Sequence, residues 1–121
     1  MSFPDPVVLL RAFVTTFTAV KVVTEIPDDW DYQKPIVHVV DSGGPGVRDH
    51  VMDQRRVTFR VSAPRRSDAK ELADLIREKI HNHTGGQWYW ISDTAAPAFW
   101  PDDAVGKPRY VYTARIDVRR A

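Results

Sequence analysis

Gln54-Arg55-Arg56-Val57-Thr58-Phe59-Arg60-Val61-Ser62-Ala63-Pro64-Arg65-Arg66-Ser67-Asp68-Ala69 opens the stretch that decides the fold, and a second periodicity carries it on to His83. Val57, Phe59, Val61 and Ala63 alternate with Arg56, Thr58, Arg60 and Ser62, the pattern of a half-buried strand. Pro64-Arg65-Arg66 breaks that strand, and Ser67 or Asp68 stands where a helix cap is expected. Ala69, Leu72, Ala73, Ile76 and Ile80 then recur at spacings of three and four, an apolar helical stripe. A strand that passes straight into an amphipathic helix needs a sheet for that helix to lie on. Nothing polar in the stretch forms a catalytic grouping. Strong architecture with little chemistry points to a structural or assembly role.

Working outward, Asp5-Pro6 starts a first helix, Asp as cap and Pro where a missing N–H costs nothing. Leu10, Phe13, Val14 and Phe17 give it an apolar face through about Phe17. Residues 19–24 are short and β-branched, a strand, and residues 27–35 form a polar loop bounded by prolines. Ile36-Val37-His38-Val39-Val40 is nearly continuous apolar sequence, as in a central strand covered on both faces. Ser42-Gly43-Gly44-Pro45-Gly46 begins a long connection to the Val57 strand. Gly85-Gly86 ends the second helix, residues 87–92 read as a strand and residues 93–108 as a long loop. From Arg109 to Arg119, Tyr110, Tyr112, Ala114, Ile116 and Val118 alternate against Val111, Thr113, Arg115, Asp117 and Arg119. The order helix, three strands, helix, two strands predicts a single α+β domain over residues 1–121, with two helices on one face of a mixed, mainly antiparallel sheet.

Composition excludes several classes. At 121 residues, with 43% hydrophobic and 27% charged residues, the chain is an ordinary globular domain with enough surface to build a core. Seventeen basic and sixteen acidic side chains leave a net charge of +1, without the basic excess of a dedicated nucleic-acid binder. The absence of cysteine excludes disulfides, thiolate chemistry and Cys-based zinc sites. No apolar run approaches the ~20 residues that span a bilayer, and the first residues lack the pattern of a signal peptide, so a cytosolic origin is expected. Nine prolines and four tryptophans are many for this length. Trp30 and Trp100 fall in expected loops, as aromatic surfaces meant to be covered by something else do.

Each candidate for chemistry meets a plainer reading. With Asp74 and Glu78 upstream, His81 and His83 invite a metal site, but they point about 200° apart on a helix and do not share one ion; they are expected instead to complement the helix dipole. The glycine run at residues 42–46 lacks the Lys-Ser/Thr ending of a phosphate loop, and Pro45 removes a donor. Asp28, Asp29 and Asp31, and Asp102 with Asp103, have neither the alternation of a calcium loop nor a nucleophile beside them. Ser42, Asp49 and His50 lack the rigid support of a triad. Arg55, Arg56, Arg60, Arg65, Arg66, Arg115, Arg119 and Arg120 form the one basic theme. It is read either as a solvated sheet face paired with Asp53 and Asp117 or as a nucleic-acid-facing surface. Phe99-Trp100-Pro101 either folds back on the core or anchors a partner.

Along nearly the whole chain this ordering resembles the tail terminator proteins of long-tailed bacteriophages. The resemblance is carried by Asp5-Pro6-Val7-Val8 opening a helix, and by Ile36-Val37-His38-Val39-Val40-Asp41-Ser42-Gly43-Gly44 running into a glycine pair. It continues in residues 54–63 leading to Arg65-Arg66-Ser67-Asp68-Ala69, and in Pro108-Arg109-Tyr110 with residues 112–118 at the close. It implies an assembly protein, not an enzyme, with no cofactor or metal. Such a protein forms a homo-oligomeric ring, a hexamer, on the end of the tail tube, halts tube polymerisation and presents a surface to the head–tail connector. DNA would meet it only by passing through the lumen, and its place would be the virion tail, assembled in the host cytoplasm without a membrane. Small head–tail joining proteins show related patterns, and a nucleic-acid-binding sheet domain is the alternative. A ring needs head-to-tail contacts between copies, and residues 27–35, 42–53 and 93–108 are loops long enough to provide them. Trp30, Tyr32, Phe99 and Trp100 are therefore expected at subunit or tube contacts, and Arg56, Arg60 and Arg115 at the lumen or a neighbour's carboxylates.

Overall fold

A computed structural model describes residues 3–48 and 51–120. The imagined Ser42–Asp49–His50 grouping therefore falls partly outside the described residues. Eight elements follow one another: α1 (Pro6–Thr15), β1 (Lys21–Val23), β2 (Ile36–Asp41), β3 (Gly46–Arg48), β4 (Met52–Ser62), α2 (Arg66–His81), β5 (Trp88–Phe99) and β6 (Arg109–Arg119). The strands form one mixed sheet in the order β1-β2-β4-β6-β5, with β3 pairing only β4. Only β1 and β2 run parallel; the other pairs are antiparallel.

Alternation assigns the two faces. Val57, Phe59 and Val61 of β4 pair with Ala114, Tyr112 and Tyr110 of β6, and Val37 and Val39 of β2 continue the same rows. These residues are buried together with Val7, Leu10 and Val14 of α1 and Ala69, Ala73, Ile76 and Ile80 of α2. Both helices thus lie on one face of the sheet, as their stripes predict. The Asp5 side chain accepts from the Val7 N–H at 2.9 Å and Pro6 occupies the first turn, the capping expected of Asp5-Pro6.

Four expectations need correction. The second helix begins at Arg66 behind Arg65, which offers no side-chain cap; Asp68 lies inside the first turn, where its charge meets the dipole. Arg66 is held there by Tyr110 Oη, to which its Nε donates at 3.2 Å, and by the Phe99 ring 4.3 Å away. The connection after β2 is mostly ladder and not a loop, because the Ser42 N–H donates to Arg56 O and the Arg56 N–H to Gly43 O before β3 pairs with β4. This adds a short strand to the predicted order. A Cβ at Gly44 would stand 2.3 Å from the Gln54 carbonyl oxygen, so glycine is required for that close approach. Finally, β5 runs through Phe99 instead of stopping near Ser92. Register shifts between Trp90 and Ser92, Asp93 and Ala95, and Ala95 and Ala98 scramble its alternation. Pro97 is tolerated because β5 is an edge strand. Likewise β2 lies one strand in from the β1 edge, and while Ile36 is fully buried on the open side, His38 and Val40 are only half-buried.

Candidate assembly surfaces

The face without helices carries Arg56, Thr58, Arg60 and Ser62 of β4 beside Arg115, Thr113, Val111 and Arg109 of β6. Arg56 stands directly opposite Arg115, a like-charge cross-strand pair that costs stability. Between the arginine rows, hydroxyls run from Ser42 to Thr58 and from Thr58 to Thr113 at 2.9 Å. The expected neutralising carboxylates do not serve. Asp53 projects to the helix side with Arg55, and Arg55 in turn forms a two-oxygen contact with Asp41. Asp117 is buried on the open side, and among the described residues it has no ion pair and its Oδ1 accepts from nothing, while the covered Arg115 Nε donates to nothing. Among the described residues, Arg56, Arg60 and Arg115 therefore have no ion-pair partner. His38 on this face is held below its ordinary range by burial and by the nearby Arg60 and Arg109 charges.

The aromatic candidates separate to the two edges of the sheet. Phe99 ends β5, tilts against Tyr110 and receives Arg66 on its ring, so it folds back partly on its own domain. Trp100 remains 66% exposed, more than any other large apolar side chain among the described residues, although the Trp100 N–H donates to Arg109 O at 2.8 Å. Trp30 lies at the other edge, in the loop before β2, with Lys21 Nζ 5.5 Å from its ring and a covered Nε1 that donates to nothing. Ala19, Val20, Lys21, Trp30, Lys34 and Pro35 line a groove of about 580 Å³ there. Tyr32, half-buried in the same loop, has φ +57°, the left-handed region that costs a non-glycine residue roughly 1–2 kcal/mol. The loop at residues 27–35 is the one long loop of the three expected that stays a loop.

A polar cluster on the helix side escaped the sequence reading. Asp93 Oδ1 accepts from Tyr112 Oη at 2.5 Å and Trp90 Nε1 at 3.2 Å and faces His81 Nε2 at 2.9 Å, while Oδ2 accepts from Arg77 Nε at 2.8 Å. Burial pushes the Asp93 carboxyl up, but its bonds to Tyr112, His81 and Arg77 outweigh that and hold it below the usual carboxylate range. Burial and the Asp93 acceptor push the Tyr112 hydroxyl far up, so it stays a donor. The cluster ties the bulged start of β5 to α2 and β6. Its only advance signal was an aspartate inside what read as a loop. His81, in the last turn of α2, and His83, beyond its end, prove to be packing residues: His81 lies on Trp90 with ring centres 4.1 Å apart, and His83 stacks on Trp88 at 3.8 Å. Among the described residues no group of three His, Asp or Glu side chains could hold a metal, and no helix is long and apolar enough to cross a membrane.

A family model described as phage tail termination protein matches residues 6–95, from the start of α1 into β5. Trp100 and β6 lie beyond the matched span. No protein of curated function matches the chain.

Proposed function

Since the chain belongs to the phage tail termination protein family and is a tail component of a bacteriophage, we propose that it works as a ring of identical subunits seated on the end of the tail tube. There it stops tube growth and offers its far side to the head–tail connector. The observation that carries this reading is the family match over residues 6–95. The surfaces agree with it. An aromatic at one sheet edge and an aromatic-lined groove at the other supply unlike faces, which a closed ring of head-to-tail contacts requires. The unpaired arginines of the open sheet face are suited to a neighbour's carboxylates or to the phosphates of DNA passing through the lumen.

Light scattering across a wide concentration range, with images of the chain mixed with purified tail tubes, tests the proposal. The expected result is a closed assembly of about six subunits, in solution or at tube ends, and tubes that no longer elongate. A chain that stays monomeric and leaves tube ends bare and growing overturns it. The unpaired Arg56, Arg60 and Arg115 favour one second reading, a nucleic-acid-binding sheet. A DNA mobility shift that weakens steeply with salt, without any binding to tubes, would select that reading.

A further inference from the structure

We infer that Trp100 of one copy seats in the Trp30–Lys21–Pro35 groove of the next, so that subunits join sheet edge to sheet edge. The inference rests on the ring reading and names the surfaces that would build it. Its first support is position. Lys21 pairs with Ile36, Ile36 with Ser62, and Ser62 with Arg109, and Trp100 bonds to Arg109 on the far side. One cross-strand row therefore runs from the groove at the β1 edge to Trp100 at the β5 edge. At roughly 4.8 Å per step, four steps separate the two by about 19 Å. Copies laid side by side at this level bring the tryptophan of one to the groove of its neighbour. Donor and acceptor lie on opposite edges, so each copy has one of each left to use, the condition for a heterologous ring.

Charge is the second support. Beside the groove, the loop at residues 27–35 carries Asp28, Asp29 and Asp31 against Lys34 and the groove-lining Lys21, and among the described residues none of the three carboxylates makes an ion pair. Beside Trp100, Arg66 lies over the Phe99 ring, Arg109 Nε donates to Trp100 O and Lys107 stands across from Asp102, so three cations outnumber Asp102 and Asp103. An acidic edge thus meets a basic one, which selects this pairing over two like edges. A third support comes from what the edges are not. β5 is broken by three register shifts and carries Pro97, and β1 is only three residues long, so neither edge suits continuous strand pairing. Contact between copies falls to side chains, and an exposed tryptophan beside arginines is the composition of an interface anchor.

Trp100→Ala and Trp30→Ala provide the test, read as mass by light scattering. Wild-type chain is expected to assemble, and each variant alone to stay at the mass of one subunit. An equal mixture should form pairs and nothing larger, because only the intact Trp100 of the Trp30→Ala chain and the intact groove of the Trp100→Ala chain can meet. Assembly of either variant to wild-type size, or a mixture that stays monomeric, overturns this contact while wild-type assembly leaves the ring reading standing. A wild-type chain that never assembles counts against the ring itself. A second variant guards against a Trp30→Ala chain that folds poorly and against assembly that awaits the tube. The chain has no cysteine, so Lys34→Cys with Asp103→Cys in one chain, oxidised with and without tail tubes, should give a ladder of covalent multimers. Each single-cysteine chain should stop at pairs. A double variant that goes no further than the single ones overturns the contact.

Discussion

The two faces of the sheet are made of the same strands yet live by different rules. On the covered face Val57, Phe59 and Val61 of β4 and Tyr110, Tyr112, Ala114, Ile116 and Val118 of β6 share one core with α1 and α2, and Phe59, Tyr112, Ala114 and Ile116 are fully buried. On the open face the intervening residues include Arg56 opposite Arg115, an arrangement no stability argument would choose. The first set of residues builds the domain, whereas the second adds nothing to its core and, in the proposed ring, would meet a partner's negative charge.

The comparison breaks most directly at Phe59. Phe59→Ala should cost roughly 3–5 kcal/mol in urea denaturation, because a stacked ring with its centre 5.9 Å from Tyr112 leaves a cavity. A cost below about 1 kcal/mol would mean that the covered face is not the core. Next comes Asp93, which is on the covered side yet polar. Asp93→Asn should destabilise by roughly 1–3 kcal/mol, because donors that now share one half-buried carboxylate lose their charge-assisted bonds. Its folded-state titration lies below the unfolded value of roughly 3.9, so its contribution is present in full above that value and lost as pH falls through the folded one. Stability of the wild-type chain measured from pH 5 down to pH 2 should therefore fall more steeply than that of Asp93→Asn; equal slopes would remove Asp93 from the account.

Smaller effects sharpen the contrast. Gly44→Ala should cost more than about 1 kcal/mol, because its methyl would press on the β4 backbone and not on a side chain that can swing away. An unchanged melting temperature would show that the glycine turn yields. Arg56→Glu should do the reverse on the open face, placing an opposite charge across from Arg115 and adding roughly 0.2–1 kcal/mol. The same substitution should weaken capping of tail tubes. A variant both more stable and fully able to cap would show that the open face has no partner of negative charge.

How far the sequence could be read follows the same division. Where alternation or a helical stripe faces a single core, as in Val57 to Val61, Tyr110 to Val118 and Ala69 to Ile80, residue, face and layer were all legible. Where the backbone leaves its period, they were not. Each bulge in β5 moves the next side chain to the other face, so residues 93–99 had no pattern to read and their strand pairing is supplied by β6. The turn at residues 42–46 looked free because glycines have no side chain to declare a contact; its constraint is a close backbone approach. The expected aromatic and basic candidates were found by residue type alone. Trp30 and Trp100 proved to occupy opposite edges and Phe99 to rest on its own domain, a placement that depends on strand order, which no local pattern encodes.

That strand order also sets a schedule. β6, the last element along the chain, is an inner strand that pairs with β4 on one side and β5 on the other along nearly its whole length. Until it is synthesised, β4 and β5 have no strand between them and α2 has only part of a surface to cover. β1 to β4 can pair with one another beforehand, but β5 joins the sheet only through β6, so the sheet is completed in a late step that includes the long-range β4–β6 pairing. A subunit able to join its neighbours prematurely would be a hazard to an assembly line. Here the Arg109 row that links the two proposed docking edges is completed only when β6 is in place, so in the proposed ring competence to associate would arrive together with the finished fold.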